Sequence, residues 1–365
     1  MSLTVIPLSG FLGAGKTTTM VAAAGVLGRA GRSVALITND QGADLVDTAT
    51  ARARVEQVDE VTGGCFCCRF EDLSTLVDRL VAEGATDTVV IEAVGSCTDL
   101  QATVVRPLRQ IYGADLVVAP LTTVVDPYRL RAFSRAWSQG EESELAYLFD
   151  RQLAEADVIA VSRADVADPA LLATCVATVR ERYPHARVVT CSGRSGVGLD
   201  ELVEAWTQPA AAERDLAIDY DRYAAAEAAL AWLNQRFVVT AQDVTALDPV
   251  LWSRTVMEEL RRACDAGGHV VGHVKLRTST AAGDVKLSLV GGDAVLDEHV
   301  DGLVADAVAV LNTRVACEPE EMDTMLAHAV AAADRVCGTR TRRDGDALSF
   351  KPGYPTPVHR LPAQV

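Results

Sequence analysis

The sequence predicts an α/β chain, a doubly wound and mostly parallel phosphate-loop sheet with a second, smaller α+β domain at its C-terminal end. Three observations carry that expectation. Short apolar runs alternate with helix-length segments up to Trp206, as in successive βαβ units. The first run ends in Gly10-Phe11-Leu12-Gly13-Ala14-Gly15-Lys16-Thr17, a complete G-x-x-x-x-G-K-[ST] motif. Beyond residue 222 the alternation stops, and several strands are shared between two long helices. At 365 residues, 49% of them apolar and 23% charged, the chain suits about two globular domains. The expected boundaries are 1–206 for the phosphate-loop domain, 207–222 for a linker, 223–345 for the second domain and 346–365 for a Pro-rich tail, extended and disordered.

Residues 3–8 form the first strand, and the glycines after it let backbone N–H groups converge on phosphate oxygens. A helix over 18–29 then turns its positive end toward the same anion, with Gly31 just past its stop. Lys16 is placed to reach the β- and γ-phosphates, and Thr17 to offer its hydroxyl to Mg²⁺. A strand over 33–38 delivers Asn39-Asp40-Gln41-Gly42-Ala43-Asp44 to the carboxyl edge of the sheet, either as a mobile loop near the γ-phosphate or as an ordinary connection. A helix over 71–83 keeps Leu73, Leu76, Val77 and Leu80 on one face. The strand over 87–91 ends in Glu92-Ala93-Val94-Gly95, which supplies a carboxylate as second partner to Mg²⁺ and a glycine N–H for the γ-phosphate.

A further strand spans 116–125, and a helical stretch covers 128–155 with Trp137 and Phe149 as core or interface residues rather than cofactor contacts. The strand over 158–161 ends in Ser162-Arg163-Ala164-Asp165, and the one over 188–190 in Cys191-Ser192-Gly193. Those two ends, one carrying an aspartate, form a candidate purine-base pocket, and a helix over 199–206 closes the domain. In the second domain, strands are expected over 236–240, 270–277, 285–290 and 307–316, and helices over 249–265 and 318–336. His269 and His273 do not make a zinc pair, because residues four apart on a strand stand roughly 13 Å from each other. They are expected at the sheet surface, either one free to act as a lone fourth ligand.

A short strand over 56–61 leads into Thr62-Gly63-Gly64-Cys65-Phe66-Cys67-Cys68-Arg69, so three of the nine cysteines occupy four positions after a Gly-Gly turn. Thiolates this close on one loop present soft ligands to a single transition metal, with a position left for a water, another side chain or a receiving protein. Core filling and a redox switch are the competing readings of the same cluster. An odd number of cysteines argues against a disulfide framework. The net charge of −16 argues against a nucleic-acid partner, and exposed basic patches such as Arg340–Arg343 are read as solvated surface. No apolar run is long enough to span a membrane and no secretory signal is visible, so a cytoplasmic protein is expected.

The loop GFLGAGKTT, the segment GGCFCC, the strand end IEAVG and the segment VSRAD resemble, in kind and order, the motifs of CobW-like GTPases, the metallochaperone branch of the SIMIBI class. The resemblance covers residues 1–206 through motifs and the second domain through architecture. It implies a GTPase that binds GTP and Mg²⁺, carries a transition metal, Zn²⁺ or Co²⁺, and hands it to a client metalloprotein, with a homodimer compatible. Catalysis falls on Lys16 and Glu92. Nucleotide contacts fall on Gly10, Gly13, Ala14, Gly15, Lys16, Thr17, Thr18, Gly95, Arg163, Asp165 and Ser192, with Asp165 accepting from the guanine N1–H and amine. Thr17 and Glu92 hold Mg²⁺, and Cys65, Cys67 and Cys68 hold the transition metal.

Three positions depart from the family pattern. N-K-x-D is Ser162-Arg163-Ala164-Asp165, with arginine able to stack on the base in place of lysine. N-E-F-G is Asn39-Asp40-Gln41-Gly42, with Asp40 or Asp44 as the remaining carboxylates, and a His-rich stretch is missing. Two other functions compete: a GTPase chaperone of a cobalt- or corrinoid-dependent enzyme, and a small-molecule kinase, which would leave the cysteine loop and Asp165 without a use.

Overall fold

The computed structural model describes residues 2–39, 46–52, 54–140, 143–243, 245–290 and 292–363. Asp40 and Asp44 lie outside them. The chain divides into two compact units, the first drawn from Met1–Gln41, Asp47–Ala226 and Tyr354–Val365, the second from Gly42–Val46 and Glu227–Gly353.

The first unit is built on β1 (Leu3–Ser9), β2 (Val34–Asn39), β3 (Val58–Val61), β4 (Thr88–Glu92), β5 (Leu116–Val118), β6 (Thr122–Val125), β7 (Val158–Val161) and β8 (Arg187–Thr190). These strands pair in parallel in the order β3-β2-β4-β1-β6-β7-β8, with β5 also beside β1. Strands 2 to 4 lie to one side of β1 and later ones to the other, so the order reverses at β1, where ligands of open α/β sheets bind. The expected single strand over 116–125 is two strands, β5 and β6, interrupted at Ala119-Pro120-Leu121. Proline lacks the N–H that a continuous ladder needs.

Around this sheet lie α1 (Lys16–Arg29), α2 (Val46–Arg52), α3 (Phe70–Glu83), α4 (Arg106–Tyr112), α5 (Pro127–Ser138), α6 (Glu144–Ala154), α7 (Pro169–Arg182), α8 (Leu199–Trp206) and α9 (Tyr220–Ala228). A π-helical turn, Gln101–Val105, precedes α4. The helical stretch expected over 128–155 is thus α5 and α6, and each has its own start. Asp126 accepts from the Arg129 N–H, and Ser143 from the Ala146 N–H. Ile6, Leu8, Met20, Leu27, Leu36, Val90, Leu199 and Leu202 share one core. Phe11 is fixed from the other direction, its ring edge-on to Phe133 and Phe149 at 5.8 Å each, with Trp137 stacked beyond Phe149 at 5.9 Å. Phe149 is therefore a core residue that also seats the phosphate loop, while Trp137, half-buried, packs against it from outside.

The second unit is an antiparallel sheet of β9 (Ala231–Ala241), β10 (Val271–Thr280), β11 (Gly283–Leu289), β12 (Val295–Glu298), β13 (Asp306–Val315) and β14 (Thr339–Phe350), in the order β12-β11-β10-β13-β9-β14. Helices α10 (Pro249–Gly267) and α11 (Pro319–Cys337) share a core with it, including Trp252, Leu260, Leu276, Leu311 and Leu326. β12 and β14, which the sequence reading missed, are the two edges. β14 carries exposed Arg340, Arg342 and Arg343, charges of the kind that protect an edge from further pairing. His273 is corrected from surface to interior, since it is 5% exposed on the central strand β10. His269 precedes that strand and meets Glu321 Oε1 at 3.0 Å.

The tail is extended, as its prolines require, but it is not disordered. The Val358 N–H donates to Cys67 O and the Leu361 N–H to Ala102 O, both at 2.9 Å. Arg360 Nε donates to Asp99 Oδ2 at 2.7 Å, and the His359 ring stands edge-on to Phe70 at 4.9 Å. Segment 207–219 is irregular yet also anchored, for Arg214 donates to the Ala154 and Ala156 carbonyls and Arg106 pairs with Glu213 and Asp215. These partners satisfy backbone and charge that would otherwise favour solvent.

Candidate functional site: a phosphate loop beside a thiol cluster

The phosphate loop leaves β1 through glycines in conformations that disfavour side chains, with φ of 138° at Gly10, 72° at Gly13 and 93° at Gly15. A Cβ on Gly10 would stand 2.2 Å from Val124 O, so the approach of loop to sheet excludes any other residue there. Ala14 is held by its carbonyl, which accepts from the Ser162 hydroxyl at 2.8 Å. The Ser162-Arg163-Ala164-Asp165 segment thereby ties its strand end to the phosphate loop. Lys16 is 7% exposed and donates to Gly10 O at 2.9 Å, its charge held at the loop mouth.

The Thr17 hydroxyl donates to Glu92 Oε1 at 2.9 Å, and both side chains are buried. A hydroxyl and a carboxylate from different elements, joined beside a phosphate cradle, are the hard oxygen pair that Mg²⁺ takes in phosphate-loop proteins. Gly95 lies against the same loop, since a Cβ there would meet Leu12 Cδ2 at 2.7 Å and Leu12 N at 3.0 Å.

Arg163 adopts φ 57° and pairs through Nε with Asp126 Oδ2 at 2.9 Å, while Asp165 is exposed. Ser192 shapes the neighbouring turn by accepting from the Arg194 and Ser195 N–H groups at 3.2 and 3.1 Å. Gly193 approaches the exposed Thr18 so closely that a Cβ would stand 2.7 Å from its carbonyl. The turn after β8 and the start of α1 are thus in contact, as a shared nucleotide pocket requires. Gly193 was not singled out in the sequence because a lone glycine in a turn carries little signal.

The cysteine loop hangs from the end of β2. Asn39 Nδ2 donates to Val61 O at 3.0 Å and Gly64 O at 2.7 Å, while its Oδ1 accepts from the Phe66 N–H at 2.9 Å. The sulfurs of Cys65, Cys67 and Cys68 all lie within 4.8 Å of one another. Tetrahedral zinc with Zn–S bonds of about 2.3 Å sets neighbouring sulfurs about 3.8 Å apart. The 3.9 Å between Cys67 and Cys68 meets that spacing, and the 2.8 Å between Cys65 and Cys67 needs to open by about 1 Å. Hydrogen bonding with Cys67, Cys68 and Cys97 holds the Cys65 thiol pKa well below its ordinary value. By the same hydrogen bonds, Cys67 is pushed up and Cys68 is pushed up to about 11. A buried cluster of hydrogen-bonded thiols, one of them with a lowered pKa, is a starting point for capture of a soft cation.

Beneath the segment from Glu92 to Gln101, Glu155 is buried, accepting from Thr98 Oγ1 and the Gln101 N–H at 3.1 Å each. Burial first, then the Asp99 charge, pushes its pKa from 4.5 to about 8. The folded protein therefore holds a proton that the unfolded chain has lost between those values, and stability falls as pH rises through that window. Glu155→Gln keeps both hydrogen bonds, because its amide can donate to Thr98. The variant is expected to flatten the decline by up to about 1.4 kcal/mol per pH unit, measured by chemical denaturation from about pH 5 to pH 8.

Among the described residues no helix is long and apolar enough to cross a membrane. Residues 4–190, just over half of the chain, match the family model of the CobW/HypB/UreG nucleotide-binding domain. A relative named zinc chaperone CobW, from Pseudomonas aeruginosa, is 29% identical over 225 residues, which are 55% of this chain and 59% of that protein. Another, zinc-regulated GTPase metalloprotein activator 1 of Dictyostelium discoideum, is 27% identical over 55% of this chain and 48% of its own length. The chain spans about half the length of the curated relatives it matches. The crystal structure of the Zn(II)-bound YjiA GTPase from E. coli is 17% identical over 90% of this chain and 99% of that one, with a TM-score of 0.36. By its phosphate loop, strand order and family match, the chain belongs to the CobW/HypB/UreG nucleotide-binding family.

Proposed function

We propose that the protein is a GTP-hydrolysing metallochaperone, which takes up zinc on Cys65, Cys67 and Cys68 and releases it to a client metalloprotein according to the nucleotide it holds. The observation that carries this reading is the clustering of three thiols on a loop clamped by Asn39, in the same domain edge as the Thr17–Glu92 pair. Zinc is favoured over cobalt by the soft thiol set and by the names of the relatives. Bound Mg²⁺ would neutralise phosphate charge between Thr17 and Glu92, and Lys16 would hold the β- and γ-phosphates against the loop N–H groups. Arg163, kept near the base by Asp126, stacks on it, and Asp165 reads the guanine edge, with Ser192 and Gly193 shaping the opposite wall.

Guanine selectivity provides one test. The Asp165→Asn variant exchanges a carboxylate that accepts two guanine N–H bonds for an amide that accepts one and faces an amine with an amine. GTP affinity is expected to fall about a hundredfold, with xanthosine triphosphate gaining, in a fluorescent-nucleotide competition assay. Unchanged preference for GTP over ATP in this variant would remove Asp165 from the pocket. Zinc handling is tested by anaerobic titration of the full chain, where one zinc per chain, dependent on the thiols, is the expected stoichiometry.

A further inference from the structure

We propose that Cys97 is the fourth zinc ligand, so that the metal is held by thiolates from two segments, the cysteine loop and the strand-end segment that carries Glu92 and Gly95. This rests on the metallochaperone reading and adds to it a ligand that no motif marks. The Cys97 side chain is fully buried and interacts with both Cys65 and Cys67. The group of sulfurs all within 4.8 Å of each other stops at Cys65, Cys67 and Cys68, so Cys97 needs to close on that group to complete a tetrahedron. Three clustered thiols and a fourth beside them match the closed Cys₄ set that zinc prefers.

The connection of Cys97 gives that approach a meaning. Two residues before it, Gly95 leaves no room for a Cβ against Leu12 of the phosphate loop. Gln152 Nε2 donates to both Gly95 O and Cys97 O, at 3.0 and 2.8 Å, so the two residues are tied as one unit. Asp99, two residues further on, has φ 66° and holds Arg360 of the tail, whose Val358 N–H binds Cys67 O. Any displacement of Gly95 at the phosphates is passed to Cys97 within three residues. Four thiolates bind zinc firmly; withdrawal of Cys97 leaves three and an open position at which a client's ligand can enter. On binding, each neutral thiol that ligates gives its proton to solvent and its sulfur lone pair to the metal, without redox change.

X-ray absorption at the zinc edge, on the full chain loaded with one zinc and a non-hydrolysable GTP analogue, counts the sulfurs. Four sulfurs at about 2.3 Å are expected, and three with one nitrogen or oxygen would overturn the proposal. Because this uses the unaltered protein, it decides even if a variant fails to fold. Cys97→Ser is expected to show three sulfurs and to bind zinc at least about tenfold more weakly; an unchanged affinity would overturn the proposal. The variant C65S/C67S/C68S separates the two layers. If it keeps zinc, the metallochaperone reading fails and Cys97 with it; if it loses zinc while Cys97→Ser matches the unaltered protein, Cys97 alone is excluded.

Discussion

Lys16→Ala is expected to lower GTP turnover by roughly a hundredfold to a thousandfold, the loss that follows removal of one preorganised charge from a site of developing negative charge. Lys16 is 7% exposed, and its ammonium stands 2.9 Å from Gly10 O and 3.5 Å from Phe11 O. It is thus already fixed at the mouth of the loop and needs no reorganisation to meet a phosphate. Its surroundings, with Phe11 seated on Phe133 and Phe149, exclude water that would weaken the charge. Alanine removes the charge and leaves the glycine geometry intact, since Gly10, Gly13 and Gly15 are set by the backbone. Single-turnover hydrolysis, with thermal unfolding as a fold control, measures the effect. A folded variant within tenfold of the unaltered rate would mean that Lys16 does not stabilise the transferred phosphate.

The second large effect is on metal. Changing Cys65, Cys67 and Cys68 together to serine is expected to weaken zinc binding about ten-thousandfold or more, or about 5.6 kcal/mol at about 1.4 kcal/mol per tenfold. Serine keeps the size but offers a hard, protonated hydroxyl. The present cluster instead centres on a Cys65 sulfur whose pKa is lowered by the thiols of Cys67, Cys68 and Cys97. Competition with a chromophoric chelator provides the measurement, and nucleotide binding, proposed above to rest on Lys16 and Thr17, reports on folding in the same sample. Retention of tight zinc would place the metal site elsewhere in the chain.

Much of the first unit was legible because each of its signals is local. Glycines spaced for the phosphate loop, a buried strand ending in Glu92 and three cysteines in four residues each describe a few consecutive positions, and the structure joins Thr17 to Glu92 as that pattern implies. What escaped was contact across distance. Asn39 was read as the start of a loop, whereas its side chain clamps Gly64 and Phe66, some 25 residues on. Cys97 went unremarked because it stands outside the C-x-C-C spacing, and only folding brings it to Cys65. The anchoring of the tail is hidden from the sequence for the same reason. Its prolines establish extension but say nothing of the partners that hold Arg360 and Val358. Pro120 in an otherwise apolar run was the available signal for the break between β5 and β6.

Coupling between the phosphate loop and the thiols is expected to run through Gly95 and Cys97 on one side and Asn39 on the other. The most direct test is the zinc dissociation constant of the full chain with Mg²⁺ and a non-hydrolysable GTP analogue, with GDP, and without nucleotide. Zinc is expected to bind at least about fivefold more tightly in the analogue complex than with GDP, and to tighten analogue binding by the same factor, as linkage demands. Equal zinc affinity in all three states would contradict the account, leaving a nucleotide site and a thiol site that merely share a domain.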